Sequence, residues 1–392
     1  MQVAHAYASG ETVPRWFPSL VAALVGSMVI ALVGVLWRSA PSTYPFGPDD
    51  DFADSSLLGA ADAGLAGWIA LAVGVLGVLT ASGFAYAGRS ALRPLLAVAV
   101  LQAVALALFA PDIQILVLAA YLLAFTVPPV LLGSKIRSWL RRPRARWLVL
   151  LAAGAVVAVG VGSGVLRPET IADFGTSVGE GFANLGTRPL YLLLVLVVAM
   201  AWVGVVARSV RDSASGRVVI AVKTWIARWG IVATWVAALS PLPYVLSRLT
   251  WLTPWPLLAG DADLDGEPAI RLMGILLGLV AETSLWLTLG LIRPRGEVFP
   301  RWVPYVGGRT VPIMAAVIPG LVGALLLTIA GRSMIQQGLF SSSADDATPW
   351  LMLIMPLWLW GPALAIATLA YWLRRTTASI PTPPASRSDV PH

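Results

Sequence analysis

The sequence predicts an all-α fold, a polytopic bundle of transmembrane helices, and three observations predict it. Of 392 residues, 58% are hydrophobic and 12% are charged, against roughly 25% charged in an ordinary soluble protein. The apolar residues gather in uncharged runs near the roughly 20 residues that, at about 1.5 Å each, cross a hydrocarbon core about 30 Å thick. The loops between these runs alternate in sign. A soluble core has no room for so much apolar surface, which excludes soluble enzyme classes.

In order, the runs are 17–37, 63–85, 94–110, 113–133, 147–166, 189–207, 229–247, 272–292, 311–331 and 350–373. The first is as long as a full span and follows a neutral segment containing Glu11, so it is read as a retained helix and not as a cleaved signal peptide. The third is the shortest; it opens at Pro94, and Pro111 with Asp112 breaks it from the fourth. Ten spans is the reading, within a range of eight to ten set by these short runs. The seventh contains Pro241 and Pro243, which remove backbone donors just past its middle. Residues 1–373 make one transmembrane domain. The tail 374–392, with Pro381, Pro383, Pro384 and Pro391 among Ser and Thr, reads as a disordered cytoplasmic end.

With the N-terminus taken as cytoplasmic, the loops on that side hold 21 of the 27 Lys and Arg. The opposite side holds the other six and 15 of the 20 acids, concentrated at Asp49, Asp50, Asp51 and Asp54 and again at Asp261, Asp263, Asp265 and Glu267. The Lys/Arg bias of short loops sets orientation, so both termini are predicted inside. The net charge of +7 is thereby an orientation signal, and a nucleic-acid partner is not expected. There is no cysteine, and the two histidines, His5 and His392, sit at the chain ends. Disulfides, thiolate nucleophiles and Cys or His metal sites are excluded, and neither metal nor cofactor is expected.

Glu282 is the only carboxylate or basic group inside these runs, at the middle of the eighth, where an ionised side chain costs about 3 kcal/mol or more unless protonated or paired. Gly278 and Gly274 precede it at intervals of four, a stripe that lets a neighbouring helix come close. Two readings fit: a proton-carrying or substrate-binding carboxylate, or a protonated Glu in one interhelical hydrogen bond. Gln102, Ser240, Tyr244, Thr283 and Ser284 are its candidate partners, the first three and Glu282 being the ligand-binding candidates. The prolines of the seventh run offer either a broken helix that lines a site or a packing kink.

The second constellation is the loop 293–310. Pro294, Pro300 and Pro304 with Gly296, Gly307 and Gly308 forbid a continuous helix, while Phe299 and Trp302 are too apolar for a free linker. The loop is expected to fold back onto the cytoplasmic membrane surface. Arg293, Arg295, Arg301 and Arg309 suit anionic lipid, a cytoplasmic protein or an anionic substrate, with Glu297 orienting an arginine; the plainer reading is an interfacial anchor. Gly10 to Pro18 matches Gly296 to Pro304 at six of nine positions, as a parallel duplication or a reused interfacial motif would. Arg146-Trp147 and Arg228-Trp229 repeat its Arg-Trp pair before other spans.

Residues 228–375 resemble a group of uncharacterised actinobacterial multi-pass membrane proteins. The resemblance rests on Arg228-Trp229-Gly230, Pro241-Leu242-Pro243-Tyr244, Arg248 with Trp251, Gly296-Glu297, Phe299-Pro300-Arg301-Trp302 with Pro304, Gly308-Arg309 with Val311-Pro312, Trp360-Gly361, Thr368-Leu369-Ala370-Tyr371 and Arg374-Arg375. The group typically has Trp where this chain has Arg295. The resemblance implies an actinobacterial plasma membrane and carries no activity.

No Walker loop, dinucleotide fingerprint, Asp-rich diphosphate motif or intramembrane His pair is present. A permease-like or lipid-handling transporter is the leading reading. A membrane-embedded enzyme on an isoprenoid or lipid, with Glu282 as general acid, and a non-catalytic scaffold or regulator are the alternatives.

Overall fold

A computed structural model describes residues 17–46, 58–59, 61–86, 91–109, 111–184, 186–213, 216–253, 255–259, 264, 266–293, 296–301, 303, 305–340 and 352–378. These residues form helices and loops with no strand, apart from one isolated bridge between Val298 and Thr310. The helices are α1 (Phe17–Ser39), α2 (Ala63–Tyr86), α3 (Leu92–Val104, continued by a π turn at Ala105–Phe109), α4 (Gln114–Leu140), α5 (Pro143–Gly162), α6 (Pro168–Asn184), α7 (Arg188–Ser213), α8 (Gly216–Leu239), α9 (Leu242–Thr250), α10 (Pro268–Gly290), α11 (Ile313–Phe340) and α12 (Leu357–Ala378). The tail beyond Ala378 and the copy of the loop motif before Phe17 lie outside the described residues.

All ten apolar runs are helical over most of their length. Among the described residues, seven segments are long and apolar enough to cross a membrane: Pro18–Ser39, Ala63–Tyr86, Arg188–Ser209, Ile220–Thr250, Pro268–Gly290, Ile313–Gln337 and Met352–Thr377. The chain is therefore an integral membrane helical bundle. Leu92–Ala107 and Arg146–Gly162 are shorter apolar helices. Helix α6 lies in a stretch read from sequence as loop; its glycines and acids hide an amphipathic pattern that buries Thr170 and Phe174.

Two clusters of buried side chains organise the bundle. Trp202, Leu192 and Val195 of α7 pack with α1, α2 and α3 in one; Ala237, Tyr244, Ala281, Leu357 and Trp360 bring α8, α9, α10 and α12 together in the other. Helix α11 serves both, giving Leu326 and Ile329 to the first and Leu327, Ala330 and Met334 to the second. With no hydrophobic drive between helices in lipid, close backbone approach has to supply the contact. Glycine allows it: a Cβ on Gly34 of α1 would stand 2.6 Å from the carbonyl oxygen of Gly67 on α2, and one on Gly361 of α12 would stand 2.6 Å from the amide nitrogen of Thr328 on α11.

The seventh run breaks where its prolines require. Helix α8 stops at Leu239 and α9 begins at Leu242, because Pro241 and Pro243 cannot donate to the carbonyls one turn back. Helix α9 then folds against α10 in antiparallel fashion.

Candidate functional site

Glu282 sits on α10, partly exposed, with no hydrogen bond or ion pair to another described residue. The stripe before it has a specific partner. A Cβ on Gly274 would stand 2.6 Å from Cε3 of Trp251, and one on Gly278 would stand 3.0 Å from Cβ of Arg248. The glycines thus admit side chains of α9, Arg248 and Trp251, onto the α10 backbone. The register that sets Trp251 on Gly274 and Arg248 on Gly278 brings Tyr244, one turn earlier on α9, to the level of Glu282.

The other residues nominated with Glu282 divide. Tyr244 and Ser240 are buried at the α8–α9 break, and Tyr244 shares the second core cluster with Ala281 of α10. Ser240 donates its hydroxyl to the Val236 carbonyl at 2.7 Å, Thr283 to Leu279 at 2.8 Å and Ser284 to Ala281 at 2.7 Å. Those three hydroxyls are occupied within their own helices. Gln102 belongs elsewhere: its amide donates to the Val73 carbonyl at 2.9 Å, between α3 and α2. It is 3% exposed and its Oε1 is buried with no partner among the described residues, so it ties the first cluster.

Arg248 is the residue whose setting sequence reasoning missed, although its spacing from Trp251 carried part of the resemblance. Its guanidinium carbon lies 4.6 Å from the Tyr244 ring centroid and 4.0 Å from that of Trp251, the stacked arrangement that guanidinium groups favour. The indole N–H of Trp251 donates to the Leu257 carbonyl at 3.0 Å, and the Leu257 amide donates to the Thr250 hydroxyl at 2.8 Å. This small folded turn ends at Leu258, whose φ of 57° is left-handed and costs a branched residue about 1 kcal/mol or more. The Leu258 carbonyl accepts from Nη1 of Arg248 at 3.5 Å, while Nε–H is buried with no acceptor among the described residues.

A second charged constellation was not legible at all. Asp112 is 0% and Arg188 2% exposed, and Nη2 of Arg188 donates to Oδ2 of Asp112 at 2.7 Å with Nε at 3.2 Å. The other carboxylate oxygen accepts the Gln114 amide at 2.9 Å. The Arg188 guanidinium carbon lies 4.8 Å from the centroid of Phe46, itself surrounded by Trp37, Tyr44 and Tyr191. Arg332 of α11 reaches the same turn, donating to the Pro111 carbonyl at 2.9 Å and to Gln336 at 2.6 Å. These residues span over 200 positions of sequence, so no spacing rule announces them.

The loop after α10 is closed and ordered over its described residues. The Phe299 amide donates to the Arg309 carbonyl at 2.9 Å, Gly308 to Phe299 at 2.9 Å and Val311 to Glu297 at 2.8 Å. Two consecutive arginines of α12 hold its feet: Arg374 donates to the Leu291 carbonyl at 2.5 Å and Arg375 to the Val311 carbonyl at 3.4 Å. Glu297, Arg301 and Arg309 are exposed, and Tyr305, with a φ of 64°, is 97% exposed at the tip. Trp302 lies outside the described residues. Three histidine, cysteine or acidic side chains placed to hold a metal do not occur among the described residues. Comparison of the chain with protein-family models, with curated proteins and with solved structures found no match.

Proposed function

We propose that this integral membrane protein is a permease-like or lipid-handling transporter of a bacterial plasma membrane, with ten passes and both termini cytoplasmic. The observation that carries the reading is Glu282: a carboxylate in mid-helix, partly exposed, beside a proline-broken helix and without a partner among the described residues. A carboxylate that only closed an interhelical hydrogen bond would be seated on an acceptor, whereas one that exchanges a proton or holds a substrate group needs an open side. Ligands co-purifying with the detergent-extracted wild type and with Glu282→Gln, identified by mass spectrometry, test it. A specific small molecule or lipid lost in the variant supports the site. If both proteins carry the same bulk lipid and nothing else, the transport reading fails.

The loop 293–310 supports a second element of this reading, a contact with anionic lipid or a cytoplasmic protein. Its hydrogen-bonded frame presents Arg301 and Arg309 outward, and the resemblance of residues 228–375 to actinobacterial membrane proteins favours a plasma-membrane setting. Because the sequence has no cysteine, single cysteines placed at positions 51, 301 and 385 give a clean orientation assay. An impermeant maleimide added to intact cells is expected to label position 51 alone; labelling at 301 or 385 overturns the orientation.

A further inference from the structure

We infer that Arg248 forms the head of an oxyanion subsite, taking the phosphate or carboxylate group of an anionic amphiphile between α9 and α10. The guanidinium carbon lies over the rings of Tyr244 and Trp251, which accept no N–H of a planar fork, so the hydrogen bonds left for a ligand run through its N–H groups. Those groups are poorly used by the protein: one contact of 3.5 Å to Leu258 and a buried Nε–H with no acceptor among the described residues. A permanent charge partly withdrawn from water and short of acceptors is a standing cost that an oxyanion reaching its Nη groups reduces. The planar fork matches two oxygens of a carboxylate or phosphate.

The surroundings say why the anion carries an apolar body. Leu252, Leu257 and Leu258 around the turn are exposed, and Trp255 is 78% exposed; they supply hydrocarbon contact beside the charged head. Arg248 lies inside the segment Ile220–Thr250 and so within reach of lipid. Gly274 and Gly278 make the site possible, since side chains there would occupy the volume of Trp251 and Arg248. The inference stands apart from the transport reading, because it needs neither Glu282 nor substrate movement.

The test is native mass spectrometry of the full-length chain in dodecyl maltoside, titrated with dioleoylphosphatidylglycerol and, separately, with dioleoylphosphatidylcholine. Wild type is expected to retain one more phosphatidylglycerol than Arg248→Gln, with phosphatidylcholine unaffected; the other basic loops contribute equally to both proteins. Arg248→Lys keeps the charge without the stacked fork and is expected to bind about tenfold more weakly than wild type. Competition then separates the sources of the oxyanion. Displacement by sodium phosphate points to a soluble phosphate group, whereas displacement by oleate alone points to a membrane amphiphile.

Equal retention by wild type and Arg248→Gln overturns the inference, as does wild-type-like affinity in Arg248→Lys. Binding that emerges only when Asp261, Asp263 and Asp265 are replaced by Asn also overturns it, since the chain's own loop then fills the fork. Should Arg248→Gln fail to fold, Arg248→Lys and the wild-type titration decide. A wild type with no preference for phosphatidylglycerol over phosphatidylcholine sinks the proposal without any variant.

Discussion

Arg188 begins α7 with its guanidinium against Phe46, and Arg248 lies near the end of α9 between Tyr244 and Trp251. Both lie over aromatic rings in segments long and apolar enough to cross a bilayer. Arg188 donates two N–H groups to one carboxylate oxygen of Asp112, and the pair is sealed from solvent. Arg248 lies over two aromatic rings and has no carboxylate partner among the described residues. A satisfied pair holds helices together and offers nothing to a ligand, whereas a partly buried guanidinium short of acceptors retains binding capacity. The difference between a structural and a receptive arginine here is one counter-ion.

Breaking the sealed pair is expected to have the largest effect. Asp112→Leu leaves Arg188 charged and buried, and a loss of about 3 to 5 kcal/mol is expected, read as a fall in Tm in detergent or as failure to fold. The double variant Asp112→Leu with Arg188→Met is expected to recover most of it, because a hydrophobic replacement of a whole buried pair is often neutral. If the double variant is as unstable as the single one, the cost lies in packing around Phe46 and not in the unpaired charge.

Next in size is Gly274→Leu, which forces the Trp251 ring off α10 and is expected to cost about 1 to 3 kcal/mol. The same melt checks it, with lost protection of the Trp251–Leu257 turn in hydrogen exchange as the local signature. Arg248→Leu removes two stacking contacts but leaves no buried counter-charge among the described residues, so about 1 kcal/mol is expected. A loss as large as that of Asp112→Leu would mean that a carboxylate of this chain pairs with Arg248, and the contrast would collapse. The smallest effect is expected from Arg375→Gln, which releases one foot of the loop at Val311 and costs about 1 kcal/mol or less. Faster trypsin cleavage at Arg301 or Arg309 with an unchanged Tm is the readout.

Much of the bundle was legible because membrane spans are read from length and apolarity, and both are local. The break at Pro241 was equally visible, since a missing N–H needs no tertiary context. Helix α6 was missed because its amphipathic pattern is diluted by glycine and acid. Within the candidate site, the stripe Gly274, Gly278, Glu282 announced a close helix neighbour, but its occupants, Arg248 and Trp251, follow only from how α9 packs against α10 after the proline break. Gln102 looked like a partner for Glu282 because it is a polar residue in a span. Packing assigned it to the Val73 carbonyl instead.

By itself the sequence determined a membrane-embedded helical chain, since composition and run length act residue by residue and no folded partner is needed to make an apolar run insert. Six basic residues fall in or beside the segments that also hold most of the acids: Arg38, Arg167, Arg188, Arg248, Arg271 and Arg332. Only the tertiary structure decided what becomes of them. Arg38 stacks on Trp68, Arg188 joins Asp112, Arg248 lies between two rings, Arg271 is buried and Arg332 reaches the Pro111 carbonyl; Arg167 alone of the six is exposed with no such contact among the described residues. A buried charge is stabilised by groups brought together from distant parts of the chain, and that assembly is a property of packing, not of sequence spacing.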